Sequence, residues 1–310
     1  MRVGIVGAGR VGTAFALALK RAGLDVVAVA SRSQESVDRL VAVAGLDPSV
    51  KSSGPEQVFE RSDLILLSVG DDAIADVSRQ VAACLAGEHG VQKCSREGGA
   101  DERPPAEGRR RVVAHLSGAL SSALLSPLRT LGASVGSLHP IKSFSSDPQT
   151  SADLSGVVAT IEGDEEAVST LKQIAKSLGM RATRIKSEAK PLYHAAACVA
   201  SNYMVTLFAL SHGMMTMCGM DPALAREALA QLVESTAQNI LGQPPERALT
   251  GPIARGDVQT IKGHLAALQQ LDNARIKTIY RLLGLETVRL AERGGRISSE
   301  VADQLTNILS

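Results

Sequence analysis

The hexapeptide Gly7-Ala8-Gly9-Arg10-Val11-Gly12 follows a short apolar run, Arg2-Val3-Gly4-Ile5-Val6, and opens an apolar helical stretch. Glycines at this spacing have separate jobs. Gly7 permits a tight turn, Gly9 lets a pyrophosphate approach the backbone, and Gly12 allows close helix–strand packing. The helix start then offers unpaired N–H groups and a positive dipole end to phosphates. A lone Gly-x-Gly-x-x-Gly says little, but one set between a strand and a helix predicts a dinucleotide site. The end of the next strand selects the dinucleotide. It carries Ser31-Arg32-Ser33, with no carboxylate before Glu35. An acidic residue there would bond ribose hydroxyls, whereas a guanidinium flanked by hydroxyls suits a 2′-phosphate. NADP is the expected cofactor. Ser33 also suits a plain helix N-cap, and the two roles are compatible.

Further chemistry-bearing residues follow. Ser68-Val69-Gly70 and His115-Leu116-Ser117-Gly118 close two later strands at the carboxyl edge, where ligands bind in such sheets. Ser117 and Gly118 are small enough to let a nicotinamide lie against the backbone. His139-Pro140 follows another strand, which predicts a loop at the sheet edge with proline fixing the chain beside His139. In Lys190-Pro191-Leu192-Tyr193-His194 through Ser201-Asn202, His194 and Ser201 share a helix face and Lys190 lies one turn before His194. Small alanines between them leave room for a ligand, and the polar groups can donate to a carbonyl or carboxylate. The same pattern also suits a histidine satisfied in a helix contact and a lysine that is simply solvated. Arg255 is the natural partner of a substrate carboxylate, Asp257 is a candidate N-cap, and His264 falls on the helix after it.

These residues need a frame. Apolar runs at 2–6, 25–30, 64–69, 112–116, 134–138, 157–161 and 181–185 alternate with helical stretches such as 11–22 and 34–44, the latter capped by Ser33 and closed by Gly45. Asp164 is expected to cap a further helix, which Gly179 ends. Near-continuous apolar strands predict a doubly wound, mostly parallel sheet buried on both faces. Residues 86–111 are Gly-, Pro- and charge-rich and predict an inserted loop that includes Arg109-Arg110-Arg111. Beyond about 186 the periodicity is helical, with breaks at Gly219–Pro222, Gln243–Pro245 and Gly251-Pro252. The layout expected is an α/β dinucleotide-binding domain over 1–186 and an all-α domain over 187–310.

Composition excludes several classes. With 310 residues, net charge +1 and aromatics at 2%, the chain offers neither a basic patch for nucleic acid nor stacking platforms. The cysteines, Cys84, Cys94, Cys198 and Cys218, form no metal-ligand spacing, so no metal site is expected. With a strand beginning at Arg2, no leader is expected, and no uninterrupted apolar stretch reaches spanning length, the nearest being about 195–210. A cytoplasmic protein with reduced thiols, no membrane contact and a small-molecule substrate is expected.

Gly7–Gly12, His115–Gly118, His139-Pro140-Ile141-Lys142-Ser143-Phe144, Tyr193-His194-Ala195-Ala196 with Ser201-Asn202, and Leu249–Asp257 with His264 occur in one order. In this the chain resembles proteins with a Rossmann-like domain followed by a domain of unknown function. These are distant relatives of pyrroline-5-carboxylate reductase and of 6-phosphogluconate dehydrogenase-like enzymes, and some similar proteins are ketopantoate reductases. The resemblance covers nearly the whole chain except 86–111. It implies a helical C-terminal domain that forms a homodimer and an active site between the domains. The expected reaction is hydride transfer from NADPH to a small carboxylate-bearing carbonyl compound. An imine reductase is the rival enzyme, and a non-catalytic NADP-binding sensor the rival from another class. His194 is the expected proton donor, with Lys190 and His139 as competitors, Asn202 and Ser117 holding the reacting oxygen, and Arg255 the carboxylate.

Overall fold

The apolar runs become strands and the stretches between them helices, in the order β1 (Arg2–Val6), α1 (Arg10–Arg21), β2 (Asp25–Ala30), α2 (Gln34–Ala44), α3 (Pro55–Arg61), β3 (Leu64–Leu67) and α4 (Asp71–Ala86). After these come β4 (Arg111–His115), β5 (Ala133–Pro140), α5 (Pro148–Ser151), β6 (Val158–Gly163), α6 (Glu165–Ser177), β7 (Arg181–Arg184) and α7 (Lys190–Ala200). The computed structural model describes residues 1–86 and 111–310, so the expected inserted loop lies, but for its end residues, outside the described residues. Two compact units emerge, Met1–Asn202 and Tyr203–Ser310. The division falls later than the expected 186/187 break because Lys190 ties α7 to the sheet, as described below.

The first unit holds a seven-stranded sheet in the order β2-β1-β3-β4-β5-β6-β7. All neighbours are parallel except β5 and β6, which run antiparallel. Successive side chains alternate between faces, and both faces are covered. Val3, Ile5, Leu64 and Leu66 pack with Phe15, Leu19, Leu40 and Leu171 of α1, α2 and α6. Val6, Ile65, Leu67, Val113 and Val135 pack with Phe59, Ile74 and Leu125 on the other side. Ser33 caps α2 through the Ser36 amide at 3.2 Å, and Gly45 ends it in the left-handed region.

Three local expectations are corrected. Asp164 precedes α6, but its carboxylate takes the Val135 amide and Arg129 rather than a helix N–H. His139 lies inside β5, not in a loop, because β6 supplies the backbone partners that extend the strand through Pro140. The helical run Ser187–Met217 meets spanning length and apolarity, with mean hydropathy 1.2, although no such stretch was expected. The reason is that Ser201 interrupts α7 and the following helix for only one residue. The run includes Lys190, whose amine is bonded within the sheet unit; an ammonium so engaged does not suit a lipid-spanning segment.

In the second unit, the remainder of α8 (Asn202–Met217) precedes α9 (Pro222–Gly242), α10 (Pro245–Ala248), α11 (Val258–Gln269), α12 (Ala274–Arg293) and α13 (Ser299–Leu309). The expected breaks separate these helices. Asp221 caps α9 and Asp257 caps α11, each with Oδ1 3.0 Å from a backbone amide. The unit's core joins Ile261, Val288, Ala291, Leu305 and Leu309. α8 buries no residue and α9 only Ala225 and Leu229.

Candidate active site at the sheet edge

The sheet's order reverses between β1 and β3, the crevice where open α/β sheets take ligands. Val6 is level with Leu67, and Leu67 with His115, so the turns after β1, β3 and β4 line one edge. Gly7 has φ +107°, and a Cβ there would meet the Ser68 carbonyl at 2.6 Å. A Cβ on Gly12 would lie 2.0 Å from the Gly7 carbonyl oxygen. Ser68 Oγ donates to that same carbonyl at 2.6 Å, pinning the turn. Gly9 and Gly70 face open space. No side chain caps α1, so its first amides stay available to an anion. These features fit a dinucleotide pyrophosphate held over Gly7–Gly12, with Ala8, Arg10 and Val11 around it. Arg32 and Ser33 are exposed at the end of β2, beside Ser31.

Beside this turn lies a second cluster. His115 is level with Ser137, so Ser117 and His139, two residues further on, reach the edge together. Gly118 follows Ser117 and is buried. A Cβ on Gly118 would stand 2.6 Å from His194 Nδ1 and 2.8 Å from His139 Nε2. Two imidazole nitrogens from different elements therefore converge on the space a methyl group would fill. Their rings meet edge to face with centroids 5.9 Å apart. His194 Nδ1 is buried and has no hydrogen-bond partner, an acceptor or donor left for something else. On the far side of His139, Nδ1 lies 2.6 Å from the Tyr193 hydroxyl. With the phenol donating, the ring's proton resides on Nε2, facing Gly118.

Below the edge, the sheet carries a polar row. His115, Ser137 and Glu162 are paired in register across β4, β5 and β6, and all are buried. Lys190 is 0% exposed, which overturns the reading of a solvated lysine. Its amine donates to the Ser117 carbonyl at 2.9 Å and to Ser137 Oγ at 2.8 Å, and lies 4.0 Å from Glu162 Oε1. Glu162 accepts from the Ser122 amide and hydroxyl, both at 2.8 Å, and from Ser187 Oγ at 2.5 Å.

The electrostatics follow from burial. Desolvation, then the Lys190 charge, pushes His115 and His139 down to about 4, so both rings are neutral near pH 7. Desolvation also lowers Lys190, to about 8, against the attraction of Glu162 and Asp71. Burial opposes ionisation of Glu162, yet the hydroxyls of Ser187, Ser137 and Ser122 hold it below the usual carboxylate range.

The first unit thus brings together Lys190, His194, His139, Ser117 and Gly118, with Ser68 and the glycine turn along the same edge. Ser117 Oγ donates to Asp71 at 3.0 Å and caps the turn through the Ala119 and Leu120 amides. Val69 is half-buried, and Asn202 is exposed where α8 begins. Arg255 belongs to the second unit, exposed at the end of a 3-10 turn, and His264 Nδ1 there lies 2.8 Å from the Tyr280 hydroxyl. Sequence reasoning gave no role to Tyr193, His115, Glu162 or Asp71. Glu162 is the one charged residue of β6, and that lone carboxylate was the available signal. Among the described residues no His, Cys, Asp or Glu group could hold a metal ion.

Residues 1–102 match the Rossmann-like domain, and residues 157–287 match a domain of unknown function, DUF2520. No curated protein matches the chain. Among solved structures, a candidate NADP oxidoreductase from Bacteroides fragilis is 24% identical, with TM-score 0.67 over 91% of this chain and 96% of that one. A pyrroline-5-carboxylate reductase from Coxiella burnetii is 13% identical, with TM-score 0.55 over 99% and 97%. A reductive aminase from Aspergillus terreus, in complex with NADPH and ethyl-5-oxohexanoate, is 15% identical, with TM-score 0.56 over 99% and 92%. These are likenesses of fold, and they run along nearly the whole of each chain.

Proposed function

We propose that this chain, a Rossmann-like domain followed by DUF2520, is an NADP-dependent reductase of a small carboxylate-bearing carbonyl compound, a 2-keto acid of the ketopantoate kind. One observation carries the reading: a glycine turn at the switch point, leading into a helix whose first amides no side chain caps, adjoins two imidazole nitrogens converging over Gly118. NADPH, when bound, supplies the hydride. Gly7–Gly12 hold its phosphates, and Arg32 with Ser31 and Ser33 selects the 2′-phosphate. His194 Nδ1 faces the reacting oxygen and delivers the proton, while His139, set by Tyr193, holds that oxygen from the other side.

Reduction of an imine is the second reading, favoured by the fold shared with a pyrroline-5-carboxylate reductase and a reductive aminase. The chain acts as a homodimer in either case, because α8 and α9 leave Val205, Met217, Leu232 and Leu241 exposed.

Calorimetric titration with NADPH and NADH, followed by NADPH oxidation with ketopantoate and with pyrroline-5-carboxylate, tests the proposal. Selective NADPH binding with keto-acid turnover supports it, and turnover of the imine alone moves it to the second reading. Binding of neither nucleotide overturns it.

A further inference from the structure

Lys190 looks like a proton donor by its place beside the site, but its surroundings argue otherwise. The amine is fully buried, and its protons are spent on the Ser117 carbonyl, on Ser137 Oγ and toward Glu162. These partners come from three adjacent strands: Ser117 just past β4, Ser137 within β5 and Glu162 of β6. Ser117 is also the residue before Gly118, whose missing side chain lets His139 and His194 approach. A proton leaving Lys190 would turn a donor to two oxygens into a neutral amine and leave Glu162 facing it without a countercharge.

We propose that Lys190 is a positioning residue: its ammonium links the Ser117 carbonyl just past β4 to Ser137 within β5 and Glu162 of β6 beneath the Ser117–Gly118 turn, fixing that turn against His139 and His194, and passes no proton to substrate. The inference rests on the reading of this turn as the place of reaction. Its second effect is electrostatic. The groups facing the amine are Glu162 on β6, Asp71 on α4, His115 on β4 and His139 on β5, with Tyr193 and His194 following it on α7. Glu162 and Asp71 favour the charged amine. The charged amine in turn disfavours protonation of both rings, so His139 stays a neutral donor rather than an imidazolium.

The test is a histidine NMR titration of the full-length protein and of Lys190→Met, which keeps the chain length and removes the charge. In the variant, His139 and His115 titrate at least about half a pH unit higher than in the parent. Unchanged midpoints in a folded variant overturn the proposal. A second measurement needs no variant. Reductive methylation of the native parent, mapped by mass spectrometry, modifies Lys190 at least about tenfold more slowly than the exposed lysines, as a buried and bonded amine requires. A rate equal to theirs overturns the proposal. Neither measurement uses NADPH, so failure here is distinct from failure of the reductase reading.

Discussion

The Tyr193 hydroxyl lies 2.6 Å from Nδ1 of His139, and the two rings meet edge to face with centroids 5.6 Å apart. With the phenol donating, this bond leaves the ring's proton on Nε2, the nitrogen facing Gly118. Tyr193→Phe keeps the ring contact and removes the bond. The expected result is a kcat lower by about tenfold with NADPH affinity unchanged, since only the orientation of a catalytic group is lost. Steady-state kinetics beside nucleotide titration measure this, and an unaltered kcat would remove Tyr193 from the account.

Acid should weaken the fold through two buried rings. His115 and His139 titrate at about 4 when folded, against the ordinary 6.5. The unfolded chain therefore binds protons that the folded chain refuses between these values. Stability from this source is complete above pH ~6.5, declines as pH falls toward ~4, and levels off below. Each ring contributes about 3 kcal/mol to the decline. Urea unfolding at several pH values between these limits measures it, and a flat profile contradicts the burial of these imidazoles as neutral groups.

Gly118→Ala probes the convergence of the two histidines. The added Cβ would stand 2.6 Å from His194 Nδ1 and 2.7 Å from His139 Cε1, so both rings must move. A loss of about 1–3 kcal/mol in stability is expected from the overpacking, together with a severe loss of turnover. Thermal unfolding and NADPH oxidation report the two effects separately. Full activity in the alanine variant would show that the rings need not meet there.

Cofactor choice depends on Arg32. Arg32→Ala should weaken NADPH by about ten- to a hundredfold, a loss of about 1.4–2.8 kcal/mol, and leave NADH unaffected. Gly12→Ala should weaken both nucleotides alike, because its Cβ would strike the Gly7 carbonyl and distort the shared phosphate turn. Calorimetry distinguishes these patterns. Equal loss of both nucleotides in Arg32→Ala would leave the 2′-phosphate without an assigned partner.

The exposed leucines of α9 and apolar residues of α8 need a cover. Light scattering should give twice the chain mass of 32.3 kDa, and Val205→Glu with Leu241→Glu should return the particle to one chain. A monomeric parent would refute the dimer.

Much of the sheet unit was legible because its strands are short apolar runs punctuated by glycine turns, a pattern with few alternatives. The glycine loop was legible for the same reason: each glycine answers a steric demand that local sequence makes visible. The depth of Lys190 was not. Beside Pro191 and Leu192 in sequence, it looks solvated, and only the long-range pairing of Ser137 with Glu162 creates the polar floor that receives its amine. His139 reads as a loop residue because it directly follows the apolar run 134–138, whereas β6 binds the far side of that strand through a pairing that local sequence does not reveal. Tyr193 stayed without a role because its partner lies on another element, at a separation of 54 residues.

The reversal at β6 has a consequence for how the helix α7 is delivered. Had β6 and β7 continued the parallel run, the chain would have emerged already level with the ligand edge. Because they descend instead, Ile185 leaves β7 bonded to the Ile161 carbonyl, one residue before Glu162 and below that edge. The helix then passes from floor to rim: its first residue, Lys190, anchors at Ser137, and Tyr193 and His194, one turn on, reach His139 and Gly118. The order of function along a single helix is thus a record of the direction from which the chain approaches.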